Sequence, residues 1–338
     1  MSLFPYPEGA LLMAPLSGYT DLPYRRAARK CGCVYAFTEM VDAASLAYAR
    51  KRSESMLLRG GDEPFLGVQL VGANEEHLKI ALDVLNEYEF DVLDFNLGCP
   101  VPKVAKKGAG AELGRHIDRA LACFSLFRER SKHVLSAKIR IVDAEDPAPT
   151  LALAKGLAEL GAQAITVHGR IKEAFYAGPV AYGIIRQVRE ALPGVWIVAN
   201  GGVTGREKYD EIRRETGCGA VMLARGAMGN PWLFRELAEG DAYRPPTIAE
   251  WLELMRAHIG EMIGLYGEEP AMRIARKILH DYFRGRGFHS EIRSRISFLG
   301  TKAEFDAFLE AVPAAHSETY WSRPGAERRL RREESAAE

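Results

Sequence analysis

The sequence predicts a (β/α)8 barrel followed by a small helical domain. Three observations support this prediction. Eight short apolar runs rich in β-branched residues alternate with helical patterns between Leu11 and Ala224, which is the count for such a barrel. Beyond a proline-rich linker the strand signal vanishes, while the helical signal continues. The 338 residues hold one barrel of about 250 residues and leave a remainder large enough for a second domain.

The predicted strands are continuous apolar runs, which are typical of strands buried on both faces of a parallel sheet. They span residues 11–16, 34–39, 65–71, 92–96, 134–139, 164–168, 195–200 and 220–224. The predicted helices carry apolar residues three and four positions apart, over residues 21–30, 75–89, 117–130, 150–160, 182–192 and 207–216. A doubly wound open sheet is the rival fold. It usually carries G-x-G-x-x-G after its first strand, and Ala14-Pro15-Leu16-Ser17-Gly18 does not have that spacing.

The domain boundaries follow from the places where the pattern changes. We expect a barrel domain over residues 1–243, a linker at Arg244-Pro245-Pro246-Thr247 and a helical domain over residues 247–322. Helices are predicted there at residues 251–265, 272–283, 290–298 and 302–309. The charged stretch at residues 323–338 is expected to be a disordered tail.

Composition narrows the class of protein. The chain is 47% hydrophobic and 27% charged, with 45 basic and 45 acidic residues, which indicates a globular protein and argues against a general polyanion binder. No run of about 18 apolar residues is present, and the N-terminus lacks a basic segment, so we expect neither a membrane span nor a signal peptide. The five cysteines form no disulfide framework, which indicates a reducing, cytoplasmic location. Cys31 and Cys33 have no second pair at zinc spacing, so no metal site is expected. We also expect a monomer.

Polar residues that are unusual in buried strands lie at the C-terminal strand ends, where the active sites of these barrels are found. They are Gln69, Asn96, Lys138, His168, Asn200 and, just after the last strand, Arg225. A single residue of this kind usually caps a loop or is a satisfied packing residue. Because six consecutive strands share the feature, the sequence predicts a common pocket at that end of the barrel.

Two of these strand ends carry glycine-rich turns, at Asn200-Gly201-Gly202 and Ala224-Arg225-Gly226. Their location after strands seven and eight favours a phosphate site over simple tight turns, and Arg225 can add a bidentate contact. Lys138 would place a positive charge in the barrel mouth. That charge suits a flavin, whose reduced ring is anionic, but a Schiff-base lysine is an open alternative.

Cys99 is the candidate chemical group, because it lies in a loop directly after the fourth strand. An ordinary thiol, with a pKa of roughly 8.5, is mostly protonated near neutrality and can donate a proton or act as a nucleophile. The loop continues through Lys103, Lys106 and Lys107, which are either solvated surface lysines or contacts for a phosphate backbone. Between Arg273 and Lys302, eight basic residues face two acidic ones, an asymmetry that indicates a polyanion partner.

Several stretches together resemble the tRNA-dihydrouridine synthases, flavoenzymes that reduce specific uridines of tRNA. They run in the family's order and include Ala14-Pro15-Leu16-Ser17-Gly18, Val68-Gln69-Leu70, Asn96-Leu97-Gly98-Cys99-Pro100-Val101-Pro102-Lys103-Val104, Val167-His168-Gly169-Arg170, Ala199-Asn200-Gly201-Gly202 and Ala224-Arg225-Gly226-Ala227. The N-x-G-C-P-x-x-K-V block is the most specific of them. Leu16 stands where the family often has Met, and Ala224 where it often has Gly. The helical region resembles the family more loosely.

The resemblance implies a complete site and reaction. FMN would be held at the barrel mouth by Ala14, Pro15, Leu16, Gln69, Lys138, His168, Asn200, Gly201, Gly202, Ala224, Arg225 and Gly226. NADPH would reduce the flavin, hydride would pass from flavin N5 to uracil C6, and Cys99 would protonate C5 of a uridine that has left its stack. The tRNA would contact Asn96, Lys103, Arg170, Tyr176, Arg276, Lys277 and Arg293.

Two other functions are compatible with parts of the sequence. An FMN barrel oxidoreductase acting on a small molecule would share the phosphate turns and Lys138, but it would not need the basic helical region. A non-catalytic RNA-binding paralogue would need that region, but it would not need Cys99, Lys138 and His168 together.

Overall fold

A computed structural model describes residues 6–313 of the chain, and the predicted tail at residues 323–338 lies outside them. Eight parallel strands close into a barrel in sequence order, β1 to β8, which confirms the predicted fold class. The strands are β1 (Leu11–Met13), β2 (Tyr35–Asp42), β3 (Phe65–Val71), β4 (Val92–Leu97), β5 (Val134–Arg140), β6 (Ala164–His168), β7 (Trp196–Asn200) and β8 (Ala220–Leu223). The last strand pairs with the first through Leu12 and Met222.

Helices follow each strand, as the alternating pattern predicts. They are α1 (Leu22–Lys30), α2 (Ala43–Tyr48), α3 (Arg50–Ser53), α4 (Glu75–Leu85), α5 (Pro102–Ala105), α6 (Ala111–Gly114), α7 (Ile117–Arg130), α8 (Ala148–Glu159), α9 (Tyr182–Ala191), α10 (Arg206–Thr216) and α11 (Leu233–Glu239). The short helices α5 and α6 lie in the loop after Cys99, where the sequence predicted no element. Asn74 caps α4 by accepting from the His77 backbone N–H, which explains why that helix begins there.

The interior of the barrel is apolar at the N-terminal ends of the strands. Its core includes Tyr6, Leu12, Tyr35, Phe65, Val92, Ala164, Val198, Ala220 and Met222. Edge-to-face ring contacts at 5.3 Å between centroids join Tyr6 to Tyr35 and Tyr35 to Phe65. This packing makes the lower barrel a solid core, so any ligand site must lie above it.

Strand alternation turns the polar side chains of β4 and β5 inward. Asp94 and Asn96 lie two positions apart on one face of β4, while Phe95 between them packs outward against Phe124 and Phe127 of α7. Register places Asp94 beside Gln69 on β3 and Asn96 beside Lys138 on β5. Polar layers therefore cover the apolar core on the C-terminal side.

The chain divides into two compact units. One contains the residues up to Leu22, Val34–Val203 and Glu207–Ala224, and so holds all eight strands. The other contains Pro23–Cys33, Thr204–Arg206 and the residues from Arg225 onwards. Most of α1 therefore groups with the second unit.

The second unit is helical in its C-terminal part. Its helices there are α11 and then α12 (Ile248–Tyr266), α13 (Glu268–Phe283), α14 (Ser290–Arg295) and α15 (Lys302–Ala311). Capping boxes start α12 at Thr247 and α15 at Thr301. Trp251 is fully buried among these helices. Its ring centroid lies 4.9 Å from that of Phe283, and its ring stacks on Phe288 with the centroids 5.5 Å apart. Over residues 6–313, no helix is both long enough and apolar enough to cross a membrane.

Candidate active site

The loop that carries Cys99 is held by hydrogen bonds from three sides. Asn96 Oδ1 accepts the backbone N–H groups of Gly98 at 3.1 Å and Cys99 at 2.9 Å. The Cys99 carbonyl accepts from the Ala111 N–H at 2.9 Å, and Arg140 Nε donates to the Gly98 carbonyl at 2.8 Å. The position of the thiol is therefore fixed by the end of β4, the end of β5 and helix α6.

Gly110 allows the chain to return past this loop. Its φ of +64° lies in the left-handed region, and a Cβ there would come within 2.7 Å of the Cys99 carbonyl oxygen. Only glycine satisfies both conditions. The turn at Gly110 therefore supports the placement of Cys99.

The Cys99 thiol stays protonated at neutral pH. Burial raises its pKa above the ordinary value, although a backbone hydrogen bond and the positive charges of Arg140 and Lys138 pull it down. Cys99 is partly exposed, while the other four cysteines are buried. It is therefore an accessible proton donor.

Lys138 is a half-buried cation at the barrel mouth. Its Nζ donates to Asn200 Oδ1 at 2.9 Å, and Asn200 Nδ2 donates to the Met222 carbonyl at 2.8 Å. Burial, followed by the nearby Arg140 guanidinium, lowers the pKa of Lys138 to about 8. The lysine is therefore mostly charged at neutral pH, and the Asp94 carboxylate is a nearby counter-charge.

His168 and the turn after β7 lie against each other. His168 is buried at the end of β6 and pairs in register with Asn200. Gly201 has a φ of +129°, and a Cβ there would approach the His168 ring to 2.9 Å. Gly202 follows with a φ of +75°. Glycine at position 201 lets the backbone pass this close to the imidazole, and glycine at position 202 permits the left-handed φ that follows.

The remaining predicted cofactor residues divide between the two units. Ala14 is buried at the end of β1 and donates its N–H to the Leu223 carbonyl at 2.8 Å, with Pro15 and Leu16 half-buried after it. Ala224 ends the barrel unit. Arg225 and Gly226 begin a short 3-10 turn, Arg225–Ala227, that belongs to the second unit. The structure therefore gathers Ala14, Pro15, Leu16, Gln69, Lys138, His168, Asn200, Gly201, Gly202 and Ala224 in the barrel unit.

The predicted substrate residues of the barrel differ in exposure. Tyr176 is 38% exposed, and its ring centroid lies 5.4 Å from the Arg140 guanidinium. Arg170 is buried and donates to the Gly178 carbonyl at 2.9 Å. Lys103 is exposed on α5, whereas Lys107 pairs with Asp42 at 2.8 Å. Part of the positive charge that lysines contribute to the loop after Cys99 is therefore neutralised by an ion pair within the protein.

Two buried charged residues of the site, Asp94 and Arg140, were not predicted from the sequence. Asp94 accepts from Gln69 Nε2 at 2.7 Å and from Ser136 Oγ at 2.5 Å. Arg140 bonds the Gly98 and Ile171 carbonyls. Each stands two positions from a residue that was predicted, Asn96 or Lys138, and so shares its inward face. That spacing was the signal that could have identified them.

The predicted tRNA contacts of the second unit lie on and beside α13. Arg273, Arg276, Lys277 and His280 recur three and four positions apart, so they share one face of that helix. Arg276 Nε donates to the Leu299 carbonyl at 2.8 Å, and His280 bonds Ser297 at 3.1 Å. Between those two partners stands Phe298, which is 82% exposed, and Arg293 is exposed on α14. This basic face, defined by Arg273, Arg276, Lys277 and Arg293, presents positive charge beside an exposed aromatic ring, whereas burial lowers the pKa of His280 and keeps it neutral at pH 7.

Metal ligation has no support in the described part of the chain. Across residues 6–313, no three His, Cys, Asp or Glu side chains lie close enough together to hold a metal ion.

The fold and site define a (β/α)8-barrel protein whose buried polar side chains, among them Gln69, Asn96 and His168, lie toward the C-terminal strand ends. Residues 12–317 match the family model described as dihydrouridine synthase (Dus), and the chain belongs to this family. The chain is 32% identical to the tRNA-dihydrouridine synthase B of Pasteurella multocida, over 82% of this chain and 85% of that protein. It is 29% identical to the protein of the same name from Proteus vulgaris, over 90% and 95%.

Two further matches complete the comparison. A probable tRNA-dihydrouridine synthase of Rickettsia conorii is 31% identical, over 86% of this chain and 88% of that protein. Among solved structures, histamine dehydrogenase from Rhizobium sp. 4-9 aligns over 76% of this chain and 48% of that chain. Its TM-score of 0.48 and identity of 11% are too low to bear on function.

Proposed function

We propose that the protein reduces specific uridines of tRNA to 5,6-dihydrouridine, using FMN as bound cofactor and NADPH as reductant. The observation that carries this proposal is a protonated, accessible Cys99 thiol on the rim of the same barrel mouth in which the half-buried Lys138 cation lies. Family membership and the names of the relatives agree with it. Membership also favours a flavin-facing role for Lys138 over a Schiff-base role.

The residues present fit an FMN group. Lys138 supplies a half-buried cation for the part of the ring that would become anionic on reduction. Gly201 and Gly202, both with positive φ, leave a cradle that a Cβ would fill, and such turns bring backbone N–H groups close to a phosphate. FMN, once reduced by NADPH, supplies the hydride that reaches uracil C6.

Cys99 completes the proposed reaction by protonating C5 of the uracil. A donor with a raised pKa holds its proton until the carbon becomes basic enough to take it. Asn96 contributes orientation: its Oδ1 is taken by two backbone N–H groups, and one N–H of its amide goes to Gln69. The other N–H faces Met40 Sδ at 3.7 Å, a weak acceptor that a uracil carbonyl would replace once the base has left its stack.

The direct test uses purified protein, a tRNA transcript and free uridine. We expect NADPH-dependent dihydrouridine formation on the transcript and none on the free nucleoside. Reduction of the free pyrimidine without tRNA affinity would favour the small-molecule oxidoreductase. A colourless protein that binds tRNA would favour the non-catalytic paralogue.

The basic face of the second unit should supply tRNA affinity. We expect Lys277→Glu combined with Arg293→Glu to weaken tRNA binding and to lower the slope of log Kd against log salt by about 1 per lost phosphate contact. Flavin content should not change. The measurement is a salt titration of binding by fluorescence anisotropy.

The matched control reverses two exposed cations on barrel helices, Arg128 on α7 and Lys155 on α8. We expect this control to bind tRNA with nearly the parent affinity. Equal affinities for the test variant and the parent at every salt concentration would remove the basic face from the proposal.

A further inference from the structure

A chain of hydrogen bonds joins the buried carboxylate of Asp94 to the loop that carries Cys99. Gln69 Nε2 donates to Asp94 Oδ2 at 2.7 Å. Asn96 Nδ2 donates to Gln69 Oε1 at 2.6 Å, and Asn96 Oδ1 accepts the N–H groups of Gly98 and Cys99. Every bond in this chain points the same way, from the Cys99 backbone toward Asp94.

The groups at the two ends of this hydrogen-bond chain permit only one orientation of the Gln69 and Asn96 amides between them. An ionised carboxylate can only accept, so Gln69 must turn its NH2 group to Asp94 and its carbonyl to Asn96. A backbone N–H can only donate, so Asn96 must turn its carbonyl to Gly98 and Cys99. Both requirements agree, and if either amide turned over, donor would face donor or acceptor would face acceptor.

Asp94 is ionised when the protein works near neutral pH. Burial raises the pKa of Asp94 to about 6, against the lowering effect of its bonds to Gln69 and Ser136 and of the charge on Lys138. A buried carboxylate is costly to retain, and an apolar residue of similar shape is often better tolerated at such a position. Its presence therefore calls for a role that an apolar side chain cannot fill.

We propose that Asp94 is a positioning residue, whose carboxylate orients the Gln69 and Asn96 amides so that Asn96 holds the Cys99 loop in place for proton donation. Only the proton-donating role of Cys99 rests on the proposed function. The hydrogen-bond chain itself concerns residues of this protein and can be tested without turnover.

Asp94→Leu removes the acceptor at nearly constant shape. Gln69 then loses the group that fixes its orientation, and the Gly98 and Cys99 amides lose their acceptor for part of the time. We expect their hydrogen exchange, measured by mass spectrometry on the flavin-loaded protein, to speed up about tenfold or more. We expect kcat on tRNA to fall about 10- to 100-fold, with KM for tRNA nearly unchanged.

Two further variants separate the orientation of the Gln69 and Asn96 amides from the charge of Asp94 and from its bond to Ser136. Asp94→Asn can keep the hydrogen-bond chain, because the carbonyl of the new side-chain amide can accept from Gln69 while its NH2 group donates to the Ser136 hydroxyl. We expect it to retain most of the amide protection and most of kcat. Ser136→Ala removes the other bond to the same carboxylate, and we expect it to behave like the parent.

The outcomes are decisive in each direction. Parent-like exchange and kcat in Asp94→Leu would overturn the proposal. So would equal damage in Asp94→Asn, because charge rather than orientation would then matter. If Asp94→Leu does not fold, rapid unprotected exchange of both amides in the parent overturns the proposal, and protection in both the parent and Asp94→Asn supports it. A parent protein that forms no dihydrouridine contradicts the proposed function, but it leaves the exchange test of the chain intact.

Discussion

Cys99→Ala should keep its bound flavin and form dihydrouridine in tRNA at least about 100-fold more slowly than the parent protein. The reason is that the thiol is the proton donor at the barrel rim: it is partly exposed, and burial raises its pKa so that it carries a proton at neutral pH. Alanine removes that proton and the hydrogen bond of the sulfur to the Val101 backbone, but it leaves the bonds that the Gly98 and Cys99 backbone atoms make to Asn96, Arg140 and Ala111. The measurement is single-turnover dihydrouridine formation, with flavin content read from the visible spectrum.

Cys123→Ala is the matched control for this prediction. Cys123 is a buried thiol on α7 whose pKa is raised to about 11, chiefly by burial, and it takes no part in the polar mouth. We expect it to turn over at nearly the parent rate. If Cys99→Ala reduced tRNA as fast as the parent, the proton-donor role would be wrong.

Lys138→Met should fold and yet lose function, with turnover reduced about 100-fold or more. Methionine has nearly the length of lysine and no charge, so it removes the half-buried cation without opening a cavity. Because burial already opposes the charged form of Lys138, we expect no loss of thermal stability. The loss should show in flavin affinity and in the rate at which NADPH bleaches the flavin, both measured by stopped-flow absorbance.

Lys155→Met on the outer helix α8 is the control, because it deletes an exposed lysine of the same unit. It should match the parent in flavin content and in bleaching rate. Parent-like flavin affinity and bleaching in Lys138→Met would show that the cation does not act on the cofactor. The flavin-facing role of Lys138 would then be wrong.

The order of strands and the end of the barrel at which polar residues collect could be read from the sequence. Both are local signals, since Phe65–Val71 and Ala164–His168 are continuous apolar runs whose bounds match the prediction. The predicted first strand was too long, because the chain leaves the sheet after Met13 and turns at residues 17–19. Boundaries of this kind depend on neighbours that the local pattern does not contain.

The partners inside the site could not be read from the sequence. The bonds of Asp94 to Gln69 and Ser136 join three strands, and they depend on a register that pairs residues 25 and 42 positions apart. The grouping of Pro23–Cys33 with the second unit is likewise a long-range property: Arg26 on α1 pairs with Glu261 on α12 at 3.2 Å. Local periodicity predicts which residues face inward, but it does not predict which of them meet.

The most direct test of the central claim is sequence-resolved mapping of dihydrouridine in the tRNA of three strains of the source organism. One strain carries the gene, one lacks it, and one carries the Cys99→Ala form. We predict that particular tRNA positions lose dihydrouridine in the second strain and are not restored in the third. An identical dihydrouridine pattern in all three strains would contradict the account.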